Sequence, residues 1–178
     1  MKRILAIALL ATSLAVSAPA VIVGASVGYL TDSQDTYFAA RAGIEFESTN
    51  SLAHIGEFEI GYTSDSEGGA KASLLPLTLN YRAQFTGTGK IGGYAGFGAG
   101  VARTRVSVPG SGVPTISDSG TSFAAQGFAG VSFRLSPTAS LDLGARYIWI
   151  DDVKLQAWGV KAEVGDDLAI EAGLHLRF

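Results

Sequence analysis

Strict alternation governs the closing stretch of this 178-residue chain. In "DLAIEAGLHLRF", Leu168, Ile170, Ala172, Leu174, Leu176 and Phe178 share one face. Ala169, Glu171, Gly173, His175 and Arg177 share the other. A period of two marks an extended strand whose two faces meet different surroundings. Seven further segments repeat the pattern: Val21 to Leu30, Thr36 to Phe46, Leu52 to Thr63, Lys71 to Phe85, Lys90 to Thr104, Thr121 to Leu135 and Ser140 to Ile150. Their length is close to the ~10 residues of a transmembrane strand, and turn-forming residues bound them. After Ala20 no apolar run reaches the ~18 residues of a membrane-crossing helix.

The two faces differ in kind. The apolar one takes Val21, Val27 and Tyr29 from the first segment, Phe38, Ile44 and Phe46 from the second, and Phe58 and Ile60 from the third. Leu77, Leu79, Phe97, Val131, Leu143 and Trp149 continue it, and no Asp, Glu, Lys or Arg interrupts it. A Lys or Arg facing lipid at the bilayer midplane costs about 2–4 kcal/mol, so so clean a face suits hydrocarbon. The opposite face collects Arg41, Glu45, Glu57, Glu59, Arg82, Arg134, Asp142, Arg146, Glu171 and Arg177. Five acids thus accompany five arginines. A soluble sheet would bury the apolar face and wet the polar one; here the polar face is the enclosed one. At about eight strands a barrel interior is just filled by side chains, and enclosed charges must pair. The expected fold is therefore all-β: an eight-stranded antiparallel up-and-down transmembrane β-barrel with a plugged, charged lumen. A secreted β-sandwich is the architectural alternative.

Composition supports this. Hydrophobic residues make up 47% and charged residues 16% of the chain, the reverse of a disordered protein's balance. A net charge of −3 argues against a nucleic-acid partner, and without cysteine there is no disulfide or thiolate chemistry. "MKRILAIALLATSLAVSAPA" has the basic, apolar, small-residue order of a signal peptide, so residues 1–20 are expected to be cleaved and residues 21–178 to form the barrel. Connections after the second, fourth and sixth segments are short, whereas 105–120 and 151–166 are long and polar, as expected of periplasmic turns and outer loops. Aromatics gather at both ends: Tyr29, Phe38, Tyr62, Phe123, Tyr147 and Trp149 outside, and Phe46, Phe85, Phe133 and Phe178 on the periplasmic side. "GGYAGFGAG" places Gly92, Gly96, Gly98 and Gly100 inward, leaving room for arginines from opposite strands; it lacks the spacing of a phosphate-cradling loop. Pro76 cannot donate to a ladder, and Leu74 and Leu75 are both apolar, so a bulge with a slip of parity is expected at 74–76.

With this leader, eight alternating strands and the stretches "SLDLGARYIWIDDVKL" and "AIEAGLHLRF", the chain resembles the small outer-membrane β-barrel family. That group holds the membrane domain of outer-membrane protein A, X-type relatives and opacity-type porin-family proteins. The resemblance implies location in the cell outer membrane, contact with its lipid and lipopolysaccharide, and a monomer. It implies that terminal Phe178 is read by the barrel-assembly machinery. With the sequence stopping at Phe178, the periplasmic peptidoglycan-binding domain that some relatives carry is expected to be absent.

The expected role is non-enzymatic, structural and surface-interacting, with no catalytic residues, cofactor or metal. The alternative is a small pore for ions or solutes lined by Glu57, Glu59, Arg82 and Arg146. A third reading, enzymatic modification of lipid A, needs a histidine beside a nucleophile or carboxylate, and only His54 and His175 are present. Arg103 and Arg105, on the lipid-side parity at an outer strand end, are candidates for lipopolysaccharide phosphates.

Overall fold

An alternating strand satisfies its backbone only through neighbours, and in hydrocarbon an open sheet edge leaves N–H and C=O groups with nothing to bond. The chain solves this by closing. A computed structural model describes residues 19–49, 51–67, 70–85, 89–108, 116–155, 160–162 and 165–178. Its strands are β1 (Ala20–Leu30), β2 (Thr36–Ser48), β3 (Leu52–Glu67), β4 (Ala70–Phe85) and β5 (Ile91–Val108). They continue with β6 (Ile116–Ser136), β7 (Ala139–Ile150), β8 (Val153–Leu155), β9 (Val160–Ala162) and β10 (Gly165–Arg177). β1 to β7 and β10 form one closed antiparallel ring, each beside its neighbour in sequence, with β10 pairing β7 and β1. Closure rules out the sandwich. The expected leader, residues 1–20, lies almost wholly outside the described residues, which begin at Pro19.

The seam joins the two ends of the barrel sequence. Ile22 pairs Arg177 and Leu30 pairs Ala169, while the Val21 and Phe178 backbones exchange bonds of 2.9 and 3.2 Å. Arg177 N–H also donates to Thr138 O, so β10 is tied on both sides down to its last residues.

Side chains sort by parity as two solvents require. Leu79 is 70% exposed and Phe97 65%, whereas Glu59 and Arg146 are 1% exposed. In a soluble molecule those figures would be inverted. The interior is layered as well as polar. Leu30, Tyr37, Ile148 and Ile150 form a buried apolar cluster at the end away from the termini, and Ile22, Ala53 and Ile55 are buried near the other end. By the turn-length rule the end opposite the termini faces outside.

Three local expectations are corrected. Register around Pro76 does not slip: Ile60 pairs Leu77 and Thr63 pairs Leu74, the same offset on both sides, while Pro76 pairs Ala102 across β4–β5. The pairing is merely skipped opposite Pro76, where Gly61 stands. A Cβ on Gly61 would meet the Tyr37 hydroxyl and the Pro76 ring, so the glycine accommodates a strand proline without a bulge. Leu74 and Pro76 consequently face inward. The true irregularities lie at Glu45/Glu47 and Arg134/Ser136, near the terminal end. The expected loops are also partly strand. β5 and β6 pair out to Val108 and Ile116, and β8 pairs β9 within 151–166 and lies against β6 with Val153 fully buried. Alternation in "RVSV" continues the ladder past the point where Gly, Pro and Ser suggested a loop.

The lipid-facing band gives a direct prediction. Leu79→Arg should lower folding stability in bilayers by about 2–4 kcal/mol relative to Leu79→Ala, read by urea titration of a tryptophan signal. Equal stability of the two variants would contradict a hydrocarbon surround.

Candidate functional site: the charged lumen

Inward parity brings Arg41 of β2, Glu59 of β3, Arg146 of β7 and Glu171 of β10 to one level of the barrel. They close into a square. Arg41 Nε donates to Glu59 Oε2 at 2.5 Å and Arg41 Nη2 to Glu171 Oε2 at 3.0 Å. Arg146 Nη1 and Nη2 reach Glu59 Oε1 and Glu171 Oε1, both at 3.0 Å. Each guanidinium spans two carboxylates and each carboxylate accepts from two guanidiniums, so two cations and two anions offset each other with no bulk water. Planar guanidinium forks suit this better than ammonium groups would.

Neutral groups occupy the remaining lone pairs. Gln126 Nε2 donates to Glu59 Oε1 at 3.1 Å and is also within 2.9 Å of Thr78 Oγ1 and 2.8 Å of Asn80 Oδ1. Tyr37 OH reaches Glu59 at 3.4 Å, and Ser26 OH reaches Glu171 at 3.2 Å. A second node lies toward the terminal end, where Arg82 Nη2 donates to Asp142 Oδ2 and His175 Nδ1 lies 2.8 Å from the same oxygen. His175 Nε2 is 3.4 Å from Arg41 Nη1. With Nδ1–H donating to Asp142, Nε2 is left to accept from Arg41, and the ring joins the two nodes. Gly24 makes room for it: a Cβ there would collide with the imidazole.

The remaining charged positions behave differently. Arg177 is half-exposed at the terminal mouth and bonds the buried Glu45 at 2.8 Å. Arg134 is exposed at the same mouth, beside the bulge, and joins no ion pair among the described residues. Glu57 is buried, and its Oε2 has no partner among the described residues. Of the five acids expected inside, it alone joins no ion pair among the described residues.

Sequence reasoning missed the aromatics that brace the arginines. Tyr94 and Phe128 point inward; the Arg82 guanidinium lies 4.1 Å from the Tyr94 ring centre and that of Arg146 lies 4.9 Å from Phe128. Cation–π contacts of this kind supply a polarisable face where water is absent. The inward glycines receive these rings and short polar groups instead of arginines: a Cβ on Gly96 would strike Phe128, and one on Gly98 would strike the Asn80 amide. Parity opposite to the lipid face was the available signal. His54 lies on the outer face, partly buried, with Nδ1 2.6 Å from Tyr81 OH, within a run of rings from Phe46 to Phe97.

Breaking the square tests its energetics. Arg146→Ala or Glu59→Ala should each cost about 3–5 kcal/mol, because a desolvated partner is stranded. The double variant should cost clearly less than the sum. Additive losses in urea unfolding would show that the pair is not coupled.

None of the curated proteins matches the sequence. Among solved structures, Neisserial surface protein A superposes with a TM-score of 0.62 at 20% identity, over 90% of this chain and 97% of that one. The attachment invasion locus protein Ail of Yersinia pestis gives 0.55 at 19% identity, over 90% and 97%. The outer membrane enzyme PagL gives 0.52 at 17% identity, over 87% and 98%. At such identities the likeness is one of fold. The profile described as the outer membrane protein beta-barrel domain matches residues 4–164. The chain belongs to that family, and its place is the outer membrane.

Proposed function

We propose that this chain is a non-enzymatic outer-membrane barrel with a sealed lumen, acting as a structural element and through contacts at its outer surface. One observation carries the reading: the Arg41–Glu59–Arg146–Glu171 square links β2, β3, β7 and β10 across the ring, so the middle of the interior is filled by salt-bridged side chains. The pore reading would send solutes past Glu59 and Arg146, which already occupy each other. Single-channel recording on purified protein in planar bilayers should show no large, stable conductance. A steady open state in the wild-type protein overturns the sealed lumen.

Enzymatic work on lipid A finds little support in either histidine. His54 bonds a tyrosine hydroxyl, and both nitrogens of His175 are engaged by Asp142 and Arg41. Ser140 faces His175 across β7–β10, but with both ring nitrogens of His175 already engaged the imidazole has none left to activate that hydroxyl. No residue is assigned a catalytic role.

At the outer surface, Arg103 and Arg105 are exposed on the lipid side of β5, and guanidinium forks there suit lipopolysaccharide phosphates. Lipopolysaccharide co-purifying with the protein should fall in the Arg103→Ala/Arg105→Ala variant; unchanged content argues for simple solvation. For biogenesis we read residues 1–20 as a cleaved leader and Phe178, 75% exposed at the seam, as the assembly signal. The outer-membrane form should have the mass of a chain starting at Val21, and Phe178→Ala should slow its appearance there. An uncleaved chain, or normal assembly of the variant, contradicts these assignments.

A further inference from the structure

Beyond the square, the outer end of the interior opens into a cavity of about 370 Å³. That lies within the range of roughly 300–1,000 Å³ typical of small-molecule pockets. Its floor is apolar: Leu74, Ile148, Ile150 and the Tyr37 ring seal it from the ion pairs below. Its rim is acidic. Asp32, Asp35, Asp65, Asp166 and Asp167 line it, and no Lys or Arg does among the described residues. Asp35, in the β1–β2 turn, is held above the usual carboxylate range, first by desolvation and then by Asp65 and Asp167. That repulsion is the kind a bound cation relieves.

The acidic rim is not the whole signal. Thr63 and Thr104 also line the cavity, are 8% and 7% exposed, and their hydroxyls have no hydrogen-bond partner among the described residues. Buried hydroxyls normally find partners, and leaving one without costs free energy. Two such groups in the wall of one cavity, above an apolar floor and below carboxylates, form a graded environment. It is dry and greasy at depth, hydroxylated partway, and anionic at the mouth.

We propose that this outer cavity binds a small amphiphilic organic cation, its apolar body on Ile148, Ile150 and Leu74 and its ammonium or guanidinium head among the aspartates. A hydroxyl or amide partway along the body would pair with Thr63 and Thr104. Asp167 serves chiefly as scaffold, since its carboxylate already accepts from the Asp32 and Ser33 N–H groups at 3.0 Å and the Ser33 hydroxyl at 2.7 Å. Of the other four, Asp35 and Asp65 lie close enough for their charges to repel and are the pair that meets the head group, with Asp32 and Asp166 beside them on the rim. This specifies the ligand class for the surface-interaction role and rests on that role, but not on the sealed lumen. A barrel that conducted could still bind the cation, so recording and titration fail separately.

The test uses protein in phosphatidylcholine nanodiscs titrated with phenethylammonium, with 2-phenylethanol and phenylacetate as neutral and anionic analogues. Methyl NMR signals of Leu74, Ile148 and Ile150 are followed. The cation should give saturable shifts, the alcohol should bind at least about 10-fold more weakly, and phenylacetate should not bind, since one charge-assisted contact is worth on the order of one decade. Asp35→Asn/Asp65→Asn should weaken the cation about 10-fold while keeping the wild-type dispersion of methyl signals in the unliganded spectrum. Thr63→Val/Thr104→Val, which removes only the hydroxyls, should leave phenethylammonium affinity nearly unchanged. Absence of saturable shifts, equal binding of cation and alcohol, or unchanged affinity in the aspartate variant would each overturn the proposal. Shifts confined to the lipid-facing Leu79 and Ile60 would mean partition into the bilayer, and would overturn it too.

Discussion

Hydrocarbon offers no hydrogen bonds, and every other feature of this barrel answers to that fact. It forces the strands to close, because an edge would leave unpaired backbone groups in lipid. Closure forces parity, since each side chain must then point either to lipid or to the lumen. Parity in turn puts the charged residues of β2, β3, β4, β7 and β10 into a space too narrow for bulk water. There, charges persist only as mutual partners. The Arg41–Glu59–Arg146–Glu171 square is thus a remote result of the solvent outside.

The interior solves the packing problem with three kinds of material. Guanidinium–carboxylate contacts fill the middle, aromatic rings lie against Arg82 and Arg146, and glycines opposite the rings supply the space. Aliphatic groups close the outer end above the ion pairs. This layering separates two regions of opposite character. A salt-bridged centre lies below an apolar floor, and a rim of carboxylates, with no Lys or Arg among the described residues that line it, stands above. On the proposed sealed lumen, exchange with the exterior would be confined to the upper region, and the centre would hold the walls in register.

Much of this was legible in the sequence because a two-residue period is an unusually strong constraint. The positions of all eight barrel strands, and the sides taken by Leu79, Phe97, Glu59 and Arg146, follow from alternation alone. What escaped depended on neighbours in space. Pro76 looked disruptive because its partner Gly61 lies fifteen residues away, and nothing local announces that one accommodates the other. Arg134 shares the parity of the lumen but sits beside a bulge at the mouth, where water solvates it. Glu57 fits the charge count yet joins no ion pair among the described residues, and its Oε2 has no hydrogen-bond partner there. The ends of β5 and β6 read as loop because Gly, Pro and Ser are weak strand formers, while cross-strand pairing decides the outcome.

The seam between β1 and β10 carries a kinetic meaning. Its backbone contacts, and the Ser26–Glu171 bond behind them, join residues as remote in sequence as Val21 and Phe178. The first strand cannot acquire its second edge partner until the last strand has been made. Until then the first strand waits with half its ladder open, a sticky ribbon seeking any complementary edge. Contacts so remote in sequence make folding slow and the waiting chain prone to aggregate. The topology thus rewards any route that keeps the open edge of β1 shielded until β10 arrives.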